Sequence, residues 1–176
     1  MKIKQKKAVE APAYVKHAVQ QITSTPLAEL ASVLQGFRWT FEKGDINHWV
    51  PVLDHFDSFF ENFTSKRADV QLRLGEEGEG VEADTRFPTS ACLAVLSATC
   101  GLLENCSNKA AYNSSEHLTN LLAAPVPEVV AAALQTFQVL LRKTHHTSVR
   151  WAAPPGLSQR LLCLSKGWGG KEEVRA

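Results

Sequence analysis

Along most of the chain, apolar positions recur every three or four residues, the period of an α-helix with one buried face. The clearest run is Trp49, Leu53, Phe56, Phe60 and Phe63, whose alternating steps of four and three hold one face over about four turns. Pro51 is tolerated only in or near a first turn, so this helix is expected to start near Asn47 or His48. Large aromatics at this spacing read as core rather than as the wall of a cofactor pocket. Upstream, Pro12 opens a helix running to about Thr23. Thr25-Pro26 reads as an N-cap and first-turn proline for a helix carrying Leu27, Leu30 and Leu34, with Gly36 as its stop. A connector, Phe37 to Asp45, carries Trp39 and Phe41.

Downstream of Pro88 the pattern resumes with Leu93, Leu96, Cys100 and Leu103, up to Asn105. Asn113 and Glu116 resemble a capping box for a short helix through Leu118, Leu121 and Leu122. Pro125 and Pro127 precede a longer helix marked by Val130, Leu134, Phe137 and Leu141, ending near Lys143. Pro154-Pro155-Gly156 leads into a last helix with Leu157, Leu161 and Leu164, which Trp168-Gly169-Gly170 closes. One stretch breaks the period. Residues 75–84, GEEGEGVEAD, hold five acidic residues and three glycines, too little apolar surface to order themselves. The expected organisation is a flexible basic N-terminus (1–11), one helical domain (12–173) with an acidic surface loop at about 75–87, and a tail (174–176).

The second half repeats. A shift of 38 places Ala94, Leu96, Leu102 and Leu103 on Ala132, Leu134, Leu140 and Leu141, and a shift of 40 places Leu121 and Leu122 on Leu161 and Leu162. A long helix, a turn and a shorter helix thus recur with a period of about 40 residues, the length of an armadillo or HEAT unit. The expected fold is all-α, a short armadillo/HEAT-like α-solenoid. Two units fall short of the three or more that such stacks need. The first-half helices are expected to serve as a cap or an irregular further repeat, unless more chain follows.

Composition narrows the function classes. With 176 residues, the chain is long enough to bury a core without disulfide or metal support. A net charge of +1 argues against the positive field of a nucleic-acid binder. No apolar run reaches the roughly 20 residues of a membrane span, and Met1 to Lys7 lacks the apolar stretch of a signal peptide. A cytoplasmic or nuclear location is expected, with protein partners and neither membrane nor nucleic acid. Cys92, Cys100, Cys106 and Cys163 form no CxxC pair, and three of them lie in apolar helical patterns, so buried free thiols are expected.

No catalytic, cofactor or metal site is expected. His48 and His55 lie near one helix face without a third ligand, and His145-His146 falls in a turn. The glycines at 75, 78 and 80 sit among carboxylates that would repel phosphate. Asp54 and Asp57 read as a solvated acidic pair on the polar side of the aromatic helix. Cys106, beside Asn105, Ser107 and Lys109, reads as the least buried thiol, and nothing marks it as activated.

Four segments carry a resemblance: GDINHWVPVLDHFDSFFE (44–61), LENCSNKAAYNSSEHLTNLLA (103–123), PEVVAAALQTFQVLLRK (127–143) and GWGGKEE (167–173). In this order and spacing, the chain resembles the N-terminal armadillo-like region of the very large HECT-type E3 ubiquitin-protein ligases, the plant and green-algal branch above all. The resemblance implies a non-catalytic scaffold or substrate-recruitment module of a protein whose distant HECT domain transfers ubiquitin through a cysteine. No catalytic cysteine carries over to any position here. The alternative is a free-standing armadillo-type adaptor that binds an extended peptide.

Overall fold

Helix signals in the sequence translate into seven α-helices among the residues that the computed structural model describes, 10–39, 44–73, 88–112, 115–142 and 156–168. They are α1 (Ala13–Ser24), α2 (Leu30–Gly36), α3 (Val50–Arg73), α4 (Thr89–Asn105), α5 (Ser115–Leu121), α6 (Pro127–Leu141) and α7 (Leu157–Trp168). Among the described residues there is no strand, only an isolated bridge between Asp45 and Ser107. The all-α expectation holds.

Most helix starts follow the predicted chemistry. Pro12 and Pro88 stand in extended backbone immediately before α1 and α4, and Pro127 occupies the first turn of α6. A short 3₁₀ turn, Ile46–Trp49, feeds α3; the Asp45 carboxylate opens it by accepting the Asn47 backbone N–H at 3.0 Å. The Thr25-Pro26 expectation needs correcting. The Thr25 hydroxyl donates backwards to the Gln21 carbonyl at 2.8 Å and closes α1. A turn, with the Glu29 N–H on the Pro26 carbonyl at 2.9 Å, then delays α2 to Leu30. The capping box at Asn113, His145-His146, the acidic loop and both chain ends lie outside the described residues.

The helices form two layers. In one, α3 lies between α1 and α5; in the other, α4 lies between α2 and α6; the contacts α1–α2, α3–α4 and α5–α6 join the layers. This arrangement explains why more of α3 is buried than its stripe predicts. Trp49, Leu53, Phe56, Phe60 and Phe63 are all buried, and so is Phe59, off the stripe. Phe59 packs edge-on to Phe60 and stacks with Phe63 at centroid distances of 6.2 and 6.3 Å.

Helices α4 and α6 are apolar on nearly every side because each has neighbours on more than one flank. Their buried hydroxyls, Thr99 and Thr136, donate to the carbonyls four residues back, of Val95 and Ala132, at 2.8 and 3.0 Å, so neither is left unsatisfied. The two helices lie side by side with their C-terminal ends together. There Arg142 Nη1 meets Glu104 Oε1 at 3.5 Å across a separation of 38 residues, the same interval as the shift that superimposes their apolar residues. The pair is well exposed and contributes little energy; its value is as a marker of register.

Deleting one aromatic of α3 tests the core assignment. Phe56 is fully buried, so Phe56→Ala is expected to lower stability by roughly 3–5 kcal/mol in chemical denaturation. A loss under about 1 kcal/mol would mean that the stripe faces solvent.

Candidate functional site

Three of the segments singled out in the sequence converge in space. Gly44 and Asp45 precede α3; Ser107, Asn108 and Tyr112 follow α4. The Ser107 N–H donates to the Gly44 carbonyl at 2.9 Å, and the Ile46 N–H donates to the Ser107 carbonyl at 3.2 Å. Asn108, in left-handed backbone (φ 60°), donates from Nδ2 to Asp45 Oδ2 at 3.0 Å. Asn tolerates that conformation better than most side chains. The third segment is reached by Lys109, whose half-buried Nζ donates to the Val139 carbonyl of α6 at 3.3 Å, where a helix C-terminus favours a cation.

The electrostatics of this junction suit a structural clasp. Burial pushes the Asp45 carboxyl up, but hydrogen bonds from the Asn47 backbone, Asn108 and the Asn47 side chain, with His48 nearby, outweigh it, leaving the group below the usual carboxylate range. Burial lowers the Lys109 ammonium.

The structure corrects two expectations. Cys106 is not the least buried thiol: it is buried behind this junction, while Cys163 on α7 is exposed. Burial, with the Asp45 charge adding to it and Lys109 opposing, pushes the Cys106 thiol up to about 11, so it is inert as a nucleophile. Burial and then Glu104 raise the Cys100 thiol as well. Nor is Asp57 solvated. Asp54 is exposed as expected, but Asp57 is 8% exposed, between α3 and the chain at Tyr112. Burial first, then the Asp54 charge, raise its carboxyl to about 8, against a lowering from Tyr112. The pattern could not reveal this, because Asp57 falls outside the apolar stripe and its cover comes from 55 residues downstream.

Two of the described histidines make separate contacts. His55 Nε2 contacts the Thr25 carbonyl at 2.8 Å and ties α3 to the α1–α2 turn, while His48 stands beside Asp45. Among the described residues no three His, Cys, Asp or Glu side chains are grouped to hold a metal ion, and no helix is long and apolar enough to cross a membrane.

Open clefts flank the aromatic connector. Trp39 lies 4.7 Å from Phe37 and 5.9 Å from Trp49, ring centroid to centroid. On one side a cleft of about 350 Å³ is lined by Leu34, Gln35, Trp39, Ala94, Ser97 and Gly101. On the other, about 450 Å³ is lined by Tyr14, His17, Gln21, Phe37, Arg38 and Trp49. A larger cleft of about 660 Å³ between α5 and α7 exposes Glu116, Asn120, Gln159, Arg160 and Cys163. These clefts offer surfaces for contact.

Residues 89–173 match the family described as Domain of Unknown Function (DUF908). The chain is 43% identical over 175 residues to the E3 ubiquitin-protein ligase UPL2 of Arabidopsis thaliana and 41% identical over 175 residues to UPL1 of the same plant. It is 30% identical over 169 residues to the E3 ubiquitin-protein ligase HUWE1 of Mus musculus. These alignments cover 98%, 98% and 95% of this chain but only 5%, 5% and 4% of the respective relatives. No solved structure matches.

The clasp generates its own test. Asp45→Ala is expected to cost roughly 0.5–2 kcal/mol, as loss of a capping side chain does. Because the Asp45 carboxyl lies below its ordinary value when folded, its contribution is present at neutral pH and lost as pH falls through that lowered value. Asp45→Asn is therefore expected to flatten the acid limb of the stability–pH profile. An unchanged limb in denaturant titrations would show that Asp45 contributes nothing there.

Proposed function

Since the chain belongs to the family of large HECT-type E3 ubiquitin-protein ligases, matching their N-terminal region, we propose that it is a non-catalytic scaffold and substrate-recruitment module in protein ubiquitination. The reading places it in the cytoplasm or nucleus, as part of an armadillo/HEAT-like solenoid whose partners are ubiquitination substrates and the remainder of a larger ligase.

One observation carries the reading. Helices α4 and α6, related by a 38-residue shift in sequence, lie side by side in space and touch through Glu104 and Arg142, also 38 apart. A chain that stacks its own repeats in one direction generates an extended surface, and such surfaces recruit proteins. Two further features support it. The layered order α1–α3–α5 and α2–α4–α6 is what stacked helix pairs produce. Helix α7 sets Leu157 into the core but leaves Leu161 and Leu164 half-buried and Leu162 55% exposed, apolar surface suited to a further stacked helix or a protein partner.

Two measurements test the proposal. Incubated with ubiquitin, ATP, E1 and E2 enzymes, this chain is expected to form no reductant-sensitive adduct; an adduct lost on Cys163→Ser would overturn the non-catalytic assignment. The α7 face is expected to bind a hydrophobic dye and to promote self-association in light scattering, both reduced in Leu162→Lys. A strictly monomeric chain that binds no dye would make α7 a finished edge and favour a free-standing adaptor.

A further inference from the structure

The turn between α1 and α2 carries a sequence feature that the scaffold reading leaves unused. Of the eight prolines in the chain, only Pro26 follows a hydroxyl-bearing residue, Thr25. A proline restricts the residue before it to extended backbone, and Thr25 obeys, with ψ at 128° where it closes α1. Ser24 and Pro26 on either side are exposed, and Thr25 itself is half-buried. Its Oγ1 lies at the surface and donates to the Gln21 carbonyl at 2.8 Å. The residue's other side faces inward, its carbonyl accepting from His55 Nε2 of α3 at 2.8 Å. Thr25 is thus held by its backbone while its hydroxyl points outward.

We propose that Thr25 is a phosphorylation site for a proline-directed serine/threonine kinase, and that its phosphate loosens the end of α1. Such an enzyme reads a hydroxyl residue in extended backbone followed by proline, which brings no N–H to be satisfied in the kinase groove. The folded turn meets both requirements. In the transfer, Thr25 Oγ1 attacks the γ-phosphorus of ATP. An Oγ1–P bond forms, the bond from that phosphorus to the β–γ bridging oxygen breaks, ADP leaves, and the hydroxyl proton passes to the kinase's base. The site belongs to this turn and does not depend on what the chain recruits.

The product cannot keep the contacts of the free hydroxyl. Its ester oxygen has no proton to donate to the Gln21 carbonyl. A phosphate with about two negative charges would stand at the C-terminus of α1, where the helix dipole disfavours an anion. The Thr25 N–H, bonded to the Ile22 carbonyl at 3.1 Å, lies in the same field, and Ile22 is the fully buried residue of that last turn. Loosening is therefore expected at residues 19–25 and not in α6.

The whole folded chain, incubated with ATP, magnesium and a proline-directed kinase, tests this by mass spectrometric mapping. A phosphate on Thr25 is expected, lost in Pro26→Ala, which keeps the hydroxyl. No phosphate on Thr25, or one that survives Pro26→Ala, overturns the site. Should Pro26→Ala fail to fold, a basophilic kinase offered the unsubstituted chain takes its place: Thr25 is expected to stay unmodified, and a phosphate there overturns the proline-directed assignment. Hydrogen exchange of the phosphorylated chain reads the consequence. Peptides from 19–25 are expected to exchange about two- to fivefold faster, as loss of a favourable helix terminus does, while peptides from α6 are unchanged. Equal exchange at 19–25 with and without the phosphate overturns the loosening.

Discussion

Everything in this fold depends on covering α3. A helix with one apolar stripe can lie on a surface, but one that buries four phenylalanines, Phe56, Phe59, Phe60 and Phe63, has to be enclosed from several directions. Its cover comes from α1 before it and from α4 and α5 after it. Helices from both halves of the chain therefore share one core. The non-local hydrogen bonds between Gly44–Ile46 and Ser107–Asn108 are the polar counterpart of this apolar constraint.

The segments that carry the family likeness acquire a physical meaning here. GDINHWV and ENCSNKAAY are two sides of one junction: Asp45 is both the first-turn acceptor for Asn47 and the acceptor for Asn108, and Tyr112 covers Asp57. Such residues are restricted by geometry: left-handed backbone at Asn108, a short acidic side chain at Asp45. The DUF908 match, which begins at residue 89, omits the α3 side of that junction, although the likeness to the plant ligases spans both sides.

Much of the architecture was legible in the sequence because it is local. Helix period, proline starts and the 38-residue shift depend on residues close together or on simple self-similarity, and α1, α3, α4, α6 and α7 fall where these signals put them. Most of the failures share one cause, cover supplied from far along the chain; Thr25 is the local exception. Phe59 and Asp57 lie off the stripe and are buried by distant elements, Cys106 sits in a polar tripeptide yet behind a junction closed by Asp45, and Thr25 serves the helix before it although its sequence suits the helix after it. The family likeness supplied the ubiquitin-ligase context that no pattern of apolar residues contains.

The Gly44–Ser107 hydrogen bond has a mechanical consequence. It joins positions 63 residues apart, so tension passing along the polypeptide would run across a few hydrogen bonds and leave α3 and α4 unloaded. Were that shunt to break and α3 and α4 then to unfold, the bridged segment would add on the order of 200 Å of extended chain. The hydrogen bonds at Gly44 and Ser107 thus stand between a pull on the ends of this segment and the slack stored in α3 and α4.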